Sequence, residues 1–244
     1  MNRIIAVGDV HGCAFTLQAL LDRLAFSRSD TLFLLGDYID RGPRAKVAMD
    51  FIMRLQKDGY DVRCLRGNHE QMLLDGLQSK ADWEHWLSNG GLALLHELGF
   101  VYAGHQTDES FKDEALRAAL APYAAWMMNL PYLYEFEDYI FVHAGINTHV
   151  QNPFEPEPDM LWMRNWYDDI NYEILANRRI VHGHTPTPEN AIRDMLGNFE
   201  TRRFINLDNG CFISKKYRHI PGMGNLCAFD LSNRTLYFEQ NCDA

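Results

Sequence analysis

Four short segments set metal-ligating side chains beside glycine: Gly8-Asp9-Val10-His11-Gly12, Gly36-Asp37-Tyr38-Ile39-Asp40-Arg41-Gly42, Gly67-Asn68-His69-Glu70 and His182-Gly183-His184-Thr185. A hard or borderline divalent cation takes carboxylate, amide oxygen and imidazole. Asp9, His11, Asp37, Asn68 and His184 offer that mixture without a thiolate. Taken singly, a Gly-Asp pair marks a turn and a histidine is a satisfied polar residue; four such segments in this order point to a chain built around two metals. Asp9 and His11 lie two residues apart, so an extended strand end would point both at one ion. The carboxylate of Asp37 is able to bridge two.

The elements that must carry these residues alternate. Apolar runs at Ile4 to Val7, Thr31 to Leu35 and Val62 to Leu65 read as buried strands, separated by helices over about Ala14 to Leu24 and Ala45 to Lys57. Such alternation predicts a mostly parallel sheet with its sites beyond the carboxyl ends of the strands, where the first three motifs fall. From Gln71 to Asn129 the pattern turns helical, interrupted by Gly90-Gly91, Gly99 and Pro122, and reads as a helical insertion flanking the site. A Trp83, Trp86, Leu87 cluster within it reads as helix packing. Tyr132 to Phe136 and Tyr139 to His143 read as a hairpin turning at Glu137-Asp138, with His143 at a strand end. Asn152 to Pro158 is a surface loop. Later strands are expected at Arg179 to His182, Arg203 to Leu207, Leu226 to Leu231 and Thr235 to Phe238. The expected class is α/β, with one domain over residues 1–244.

Composition narrows the partners. With 23 Lys+Arg against 33 Asp+Glu the formal charge is -10, and no basic cluster appears, so nucleic acid is not an expected partner. The five cysteines (Cys13, Cys64, Cys211, Cys227, Cys242) are scattered and form no Cys-x-x-Cys, which fits a reducing cytoplasm. No apolar run reaches membrane-spanning length and no leader precedes the first strand, so neither a membrane nor a secretory route is expected. Oligomeric state is left open.

In these motifs, together with His143-Ala144-Gly145 and Leu161-Trp162-Met163-Arg164, the sequence resembles the metallophosphoesterases, and within them the phosphoprotein phosphatase branch with its small bacterial and phage-type serine/threonine phosphatases. The resemblance implies a central β-sandwich flanked by helices. It makes Asp9, His11 and Asp37 ligands of one ion, and Asp37, Asn68, His143 and His184 ligands of the other. It makes His69 the general acid, Asp40 the residue that orients it, and Arg41 and Arg164, with Asn68, the groups that hold the phosphate. Manganese is the first expectation for both ions, with iron or zinc as the other choices. The implied reaction is hydrolysis of phosphoserine or phosphothreonine, and possible phosphotyrosine, in a phosphoprotein or phosphopeptide.

The chemistry agrees with that set. Two close metals can make hydroxide from a shared water and clamp the phosphate for in-line attack, and an arginine fork matches phosphate oxygens better than a lysine. The bland role for Arg164 is a surface ion pair or a stack on Trp162 or Trp166. His182 reads as a supporting or packing residue, Cys13 as a buried thiol at a helix start, and His85, His96, His105, His149 and His219 as residues without motif context. Two departures sort the superfamily. Many diesterases carry a second histidine two positions after the last one, where this chain has Pro186. Symmetrical dinucleoside tetraphosphate hydrolases look similar, but their second motif commonly lacks the acid present here as Asp40, and their third often ends in Asp rather than Glu70. The His143 to Ile146 segment also resembles theirs, so that activity is the alternative.

Overall fold

Strand β1 (Ile4–Val7) is buried along its whole length, as a strand covered on both faces must be. Its side chains alternate between two destinations. Ile5 and Val7 join Leu32 and Leu34 in a core closed by helices, while Ile4 and Ala6 join Phe33 in a second core. A computed structural model describes residues 2–102, 107–213 and 220–243.

Two sheets form. In the first, β1 pairs in parallel with β2 (Thr31–Leu34), which pairs in parallel with β3 (Asp61–Cys64). The other side of β1 is taken by β8 (Asn225–Asp230), antiparallel, with β9 (Thr235–Gln240) beyond it, giving the order β3-β2-β1-β8-β9. The second sheet runs β4 (Leu133–Phe136), β5 (Tyr139–Val142), β6 (Arg179–His182) and β7 (Phe204–Asn206). Its first pair is the expected hairpin, turning at Glu137 with φ 52°, and the remaining pairs are parallel.

The sheets pack face to face. Phe33 of β2 and Phe141 of β5 stack with ring centroids 3.7 Å apart, and Val181, Ile205 and Phe229 extend the same core. Helices α1 (Ala14–Arg23) and α2 (Ala45–Lys57) cover the outside of the first sheet through Leu17, Leu20, Met49 and Ile52. This is the helix-flanked sandwich that the resemblance implies.

The helical insertion comprises α3 (Asn68–Gly76), α4 (Lys80–Trp86), a kinked turn (Leu87–Gly91), α5 (Leu92–Glu97), α6 (Thr107–Lys112) and α7 (Glu114–Met128). Gly90, with φ 116°, and Gly99 break it as expected. Pro122 does not: it lies inside α7. An internal proline removes one backbone hydrogen bond, and burial of Leu116, Leu120, Tyr123 and Met127 along one face of α7 offsets that loss. The strand expected from Arg203 begins one residue later, because Arg203 sits in the left-handed region at φ 58°. Four short helices, α8 (Asp159–Trp162), α9 (Tyr172–Leu175), α10 (Glu189–Gly197) and α11 (Phe199–Arg202), fill the connections around the second sheet.

Candidate metal centre

The motif residues gather at the carboxyl ends of β1, β2, β3, β5 and β6, and sharp backbone reversals aim them. His11, Asp37, Asp40, Arg41 and His184 all have positive φ, between 42° and 73°. Non-glycine residues rarely hold such angles, and clusters of them mark positions that the surrounding fold over-determines. The expectation that Asp9 and His11 share an extended strand end is therefore corrected: the chain has left β1 and reverses at His11.

What holds these turns is a carboxylate that sequence reasoning used only to compare families. Glu70 is fully buried on the first turn of α3. Its Oε2 accepts from Asp37 N at 2.8 Å and Gly67 N at 3.0 Å, and its Oε1 accepts from Tyr38 N at 2.8 Å and Ile39 N at 3.3 Å. Amide groups that would otherwise be orphaned are thus satisfied by one side chain. Close approach completes the arrangement, since a Cβ on Gly67 would lie 2.2 Å from Asp37 Oδ1.

Asp37 stands at the centre with one oxygen turned to each side. Its Oδ2 lies 3.4 Å from His11 Nε2 and 3.9 Å from His69 Nε2, while its Oδ1 lies 3.5 Å from His143 Nε2. Two groups of potential ligands result, His11, Asp37 and His69, and Asp37, His143 and His184, each with its donor atoms within 4.8 Å of one another. Asn68 joins the second group, with its Oδ1 2.9 Å from His143 Nε2 and 3.0 Å from His184 Nδ1. Asp9 belongs to neither group. Its carboxylate is buried and accepts from the backbone N–H of His184 at 3.1 Å.

The electrostatics suit cations. Burial pushes Asp9 well above the ordinary carboxylate range, with Asp208 and Asp37 adding to the rise, and burial raises Asp37 and Asp208 to about 7. Carboxylates packed together away from water resist ionisation unless positive charge joins them. Burial likewise lowers His143 to about 4 and His184 to about 2, keeping both rings neutral, the form that binds metal. Asp208 was not anticipated. Its Oδ1 accepts from Gly210 N at 2.8 Å, its Oδ2 is buried without a hydrogen-bond partner, and it neighbours Asp9 and Asp37. The donor chemistry and this orphaned oxygen fit a pair of divalent ions held about Asp37.

The proposed acid pair is close to the same centre. His69 Nδ1 donates to Asp40 Oδ2 at 2.7 Å, His69 N donates to Asp37 Oδ1 at 3.0 Å, and both side chains are buried. Trp86, expected only to pack, donates its indole Nε1–H to Asp40 Oδ1 at 3.0 Å and Oδ2 at 2.9 Å. Trp83 does otherwise and donates to Ser110 Oγ at 2.9 Å.

Two exposed arginines face this cluster. Arg41 Nη1 donates to His11 Nε2 at 2.9 Å and its guanidinium lies 4.5 Å from the centre of the Phe212 ring; Arg164 Nη1 donates to Thr185 Oγ1 at 2.9 Å. His182 is buried between Trp166 and Tyr167, and Cys13 is a buried thiol immediately before α1. His149 lies away from the centre, 3.1 Å from Asp169. His105 and His219 lie outside the described residues. Among those residues, no helix is long and apolar enough to cross a membrane.

The chain is similar to known proteins. The chain is 34% identical over 154 residues to a symmetrical bis(5'-nucleosyl)-tetraphosphatase of Pectobacterium atrosepticum, covering 60% of this chain and 44% of that protein. A symmetrical bis(5'-nucleosyl)-tetraphosphatase of Vibrio cholerae is 29% identical over 144 residues, covering 58% and 44%. The matched stretches thus span under half the length of these curated relatives. The crystal structure of a candidate diadenosine tetraphosphatase superposes with a TM-score of 0.65 at 19% identity, covering 100% of this chain and 95% of that one. A Saccharomyces cerevisiae serine/threonine phosphatase similar to human PP5 superposes with a TM-score of 0.57 at 14% identity, covering 100% and 81%. At those identities the structural likeness concerns the fold. The calcineurin-like phosphoesterase profile matches residues 2–213, a stretch that holds every motif described above, and the chain belongs to that family.

Proposed function

We propose that this chain is a two-metal phosphohydrolase that cleaves bis(5'-nucleosyl) tetraphosphates symmetrically. The observation that carries the phosphohydrolase is Asp37, whose two oxygens face two separate groups of imidazoles while Arg41 and Arg164 stand at the rim. The substrate is supported by the names of the curated relatives. A cavity of about 310 Å³ beside Arg164, lined by Asn147, His149, Met163 and Asp169 among others, supplies room for a substrate that extends beyond one phosphoryl group.

Two divalent ions here would lower the pKa of bound water and neutralise the charge of the phosphoryl group. Asp9, His11, Asp37, Asn68, His143 and His184 would hold them, with Asp208 adding negative charge beside the centre. Arg41 and Arg164 each present a planar fork of donors to phosphoryl oxygens. His69, oriented by Asp40, delivers a proton to the departing oxygen.

The Asp40–His69 pair favours a second reading, hydrolysis of phosphoserine or phosphothreonine. A serine alkoxide is a far more basic leaving group than a nucleoside diphosphate and gains more from a proton donor. Metal-loaded enzyme assayed side by side on diadenosine tetraphosphate and a phosphoserine peptide separates the readings. Release of ADP, with the peptide cleaved poorly, is the expected result. Efficient peptide cleavage without ADP release would establish the phosphatase, and turnover of neither would remove both substrates.

A further inference from the structure

The helical insertion touches the site at a point that the motif residues do not explain. Trp86 is fully buried, and its indole N–H donates to Asp40, reaching both oxygens of the carboxylate that orients His69. The indole is itself tightly seated. Its ring lies 4.8 Å from that of Trp83, and a Cβ on Gly91 would come within 2.5 to 2.8 Å of its atoms. One residue earlier, the carbonyl of Gly90 accepts from Arg41 N at 3.4 Å, and a Cβ on Gly90 would lie 3.0 Å from both the backbone nitrogen and Cγ of Arg41. A single turn, Trp86 to Gly91, therefore meets the orienting acid through its first residue and the phosphate-facing arginine through its fifth.

We infer that the end of α4 and the kink that follows it form a positioning device, in which Trp86 fixes the Asp40 carboxylate in the orientation that aligns His69 and Gly90 sets the backbone from which Arg41 reaches the phosphate. The local geometry suits such a role. The chain kinks here between two helices. Gly90, at φ 116°, occupies a conformation that a side chain would strain. A side chain there would also press directly on Arg41. Trp86 acts through Asp40, and Asp40 acts through His69.

The inference rests on the phosphohydrolase reading but not on the choice of substrate, so simple aryl phosphates serve as probes. Phenyl phosphate has a basic leaving group that needs a proton, and p-nitrophenyl phosphate has one that needs little. Trp86→Phe is expected to lower kcat on phenyl phosphate by about tenfold, less than the roughly hundredfold or more of a general acid itself because the acid is misaligned rather than removed, and to change p-nitrophenyl phosphate turnover by less than about threefold. Trp83→Phe, which removes a neighbouring indole bonded to Ser110, serves as the packing control. It is expected to lower stability without changing the ratio of the two rates. Gly90→Ala is expected to weaken inhibition by inorganic phosphate with metal content intact and the leaving-group ratio unchanged. Equal defects of Trp86→Phe on both esters, or the same ratio change in Trp83→Phe, would overturn the positioning role of the indole. Unchanged phosphate inhibition in Gly90→Ala would overturn that of the turn's glycine. If wild-type enzyme hydrolyses neither ester, the phosphohydrolase reading fails for these monoesters while the geometry is still decided by NMR. The indole N–H resonance that disappears in Trp86→Phe must then move in Asp40→Asn, and a resonance that stays in place would sink the contact itself.

Discussion

Asp37 concentrates more of the chemistry than any other side chain. Because each of its oxygens faces a different group of imidazoles, Asp37→Asn is expected to weaken both metal sites, whereas Asp9→Asn, whose carboxylate lies outside both groups, weakens metal binding less. Calorimetric titration with manganese or zinc measures this, and equal losses would show that Asp37 does not bridge. Arg164→Ala is expected to raise the inhibition constant for inorganic phosphate and to lower kcat/KM with metal content unchanged, since it presents donors to phosphate and none to metal. Unaltered kinetics would return Arg164 to a surface role beside Thr185. The types and spacing of Asp9, His11, Asp37, Asn68, His143 and His184 were legible because each follows a strand and adjoins or neighbours a glycine. Glu70, Trp86 and Asp208 were not. Their roles depend on what lies opposite them in space: backbone amides 31 to 33 residues away for Glu70, and a carboxylate 46 residues away for Trp86.

At the scale of elements, local pattern located the strands to within two residues, and the helices around them followed. Pro122 misled because a proline's local penalty was weighed without the packing of α7. Partner identity was also invisible locally: nothing in β1 announces that its free edge is taken by β8. One junction of elements offers a test of stability. Asp30, just before β2, accepts from Arg3 Nε at 3.0 Å and Nη2 at 2.7 Å and from Ser27 N at 2.9 Å. The Arg3 guanidinium is the main cause that lowers its pKa to about 2. A carboxyl group depressed in the folded state stabilises fully above its unfolded pKa, and that contribution disappears as pH falls through the folded value. Asp30→Asn is therefore expected to cost about 2 kcal/mol near neutrality, with the difference from wild type shrinking between roughly pH 5 and pH 2. Urea melts across that range check it; a difference independent of pH would assign the loss to hydrogen bonds rather than charge.

For the whole molecule, the second ligand group joins the two sheets, because Asp37 follows β2 of one and His143 and His184 follow β5 and β6 of the other. An ion bound there is expected to stabilise the fold against unfolding, by about 3 kcal/mol at a free concentration one hundred times its dissociation constant. Thermal melts with and without chelator measure that gain, and an unchanged midpoint would show that the sheets hold the site without help. Residues distant in sequence also fasten the helices over the first sheet. Asp243 accepts from Phe15 N at 3.1 Å and Thr16 N at 2.9 Å, capping α1, while its Oδ1 lies 3.2 Å from Arg44. Asp243→Ala is expected to destabilise the protein by about 1 kcal/mol in denaturant melts, as loss of a helix cap does.

The place of β8 against β1 also sets a clock. During synthesis the ribosome delivers Ile5 more than two hundred residues before Phe229, the partner of Ala6, has been made. Until then β1 is an open edge, and contacts of such sequence separation form slowly. An emerging chain can present its first three motifs early, yet it cannot assemble the second ligand group before His184 appears, nor shield its first strand before residue 225. An ion that needs the second ligand group would therefore have to wait for His184, and in the interval the exposed edge of β1 is open to pairing with other strands.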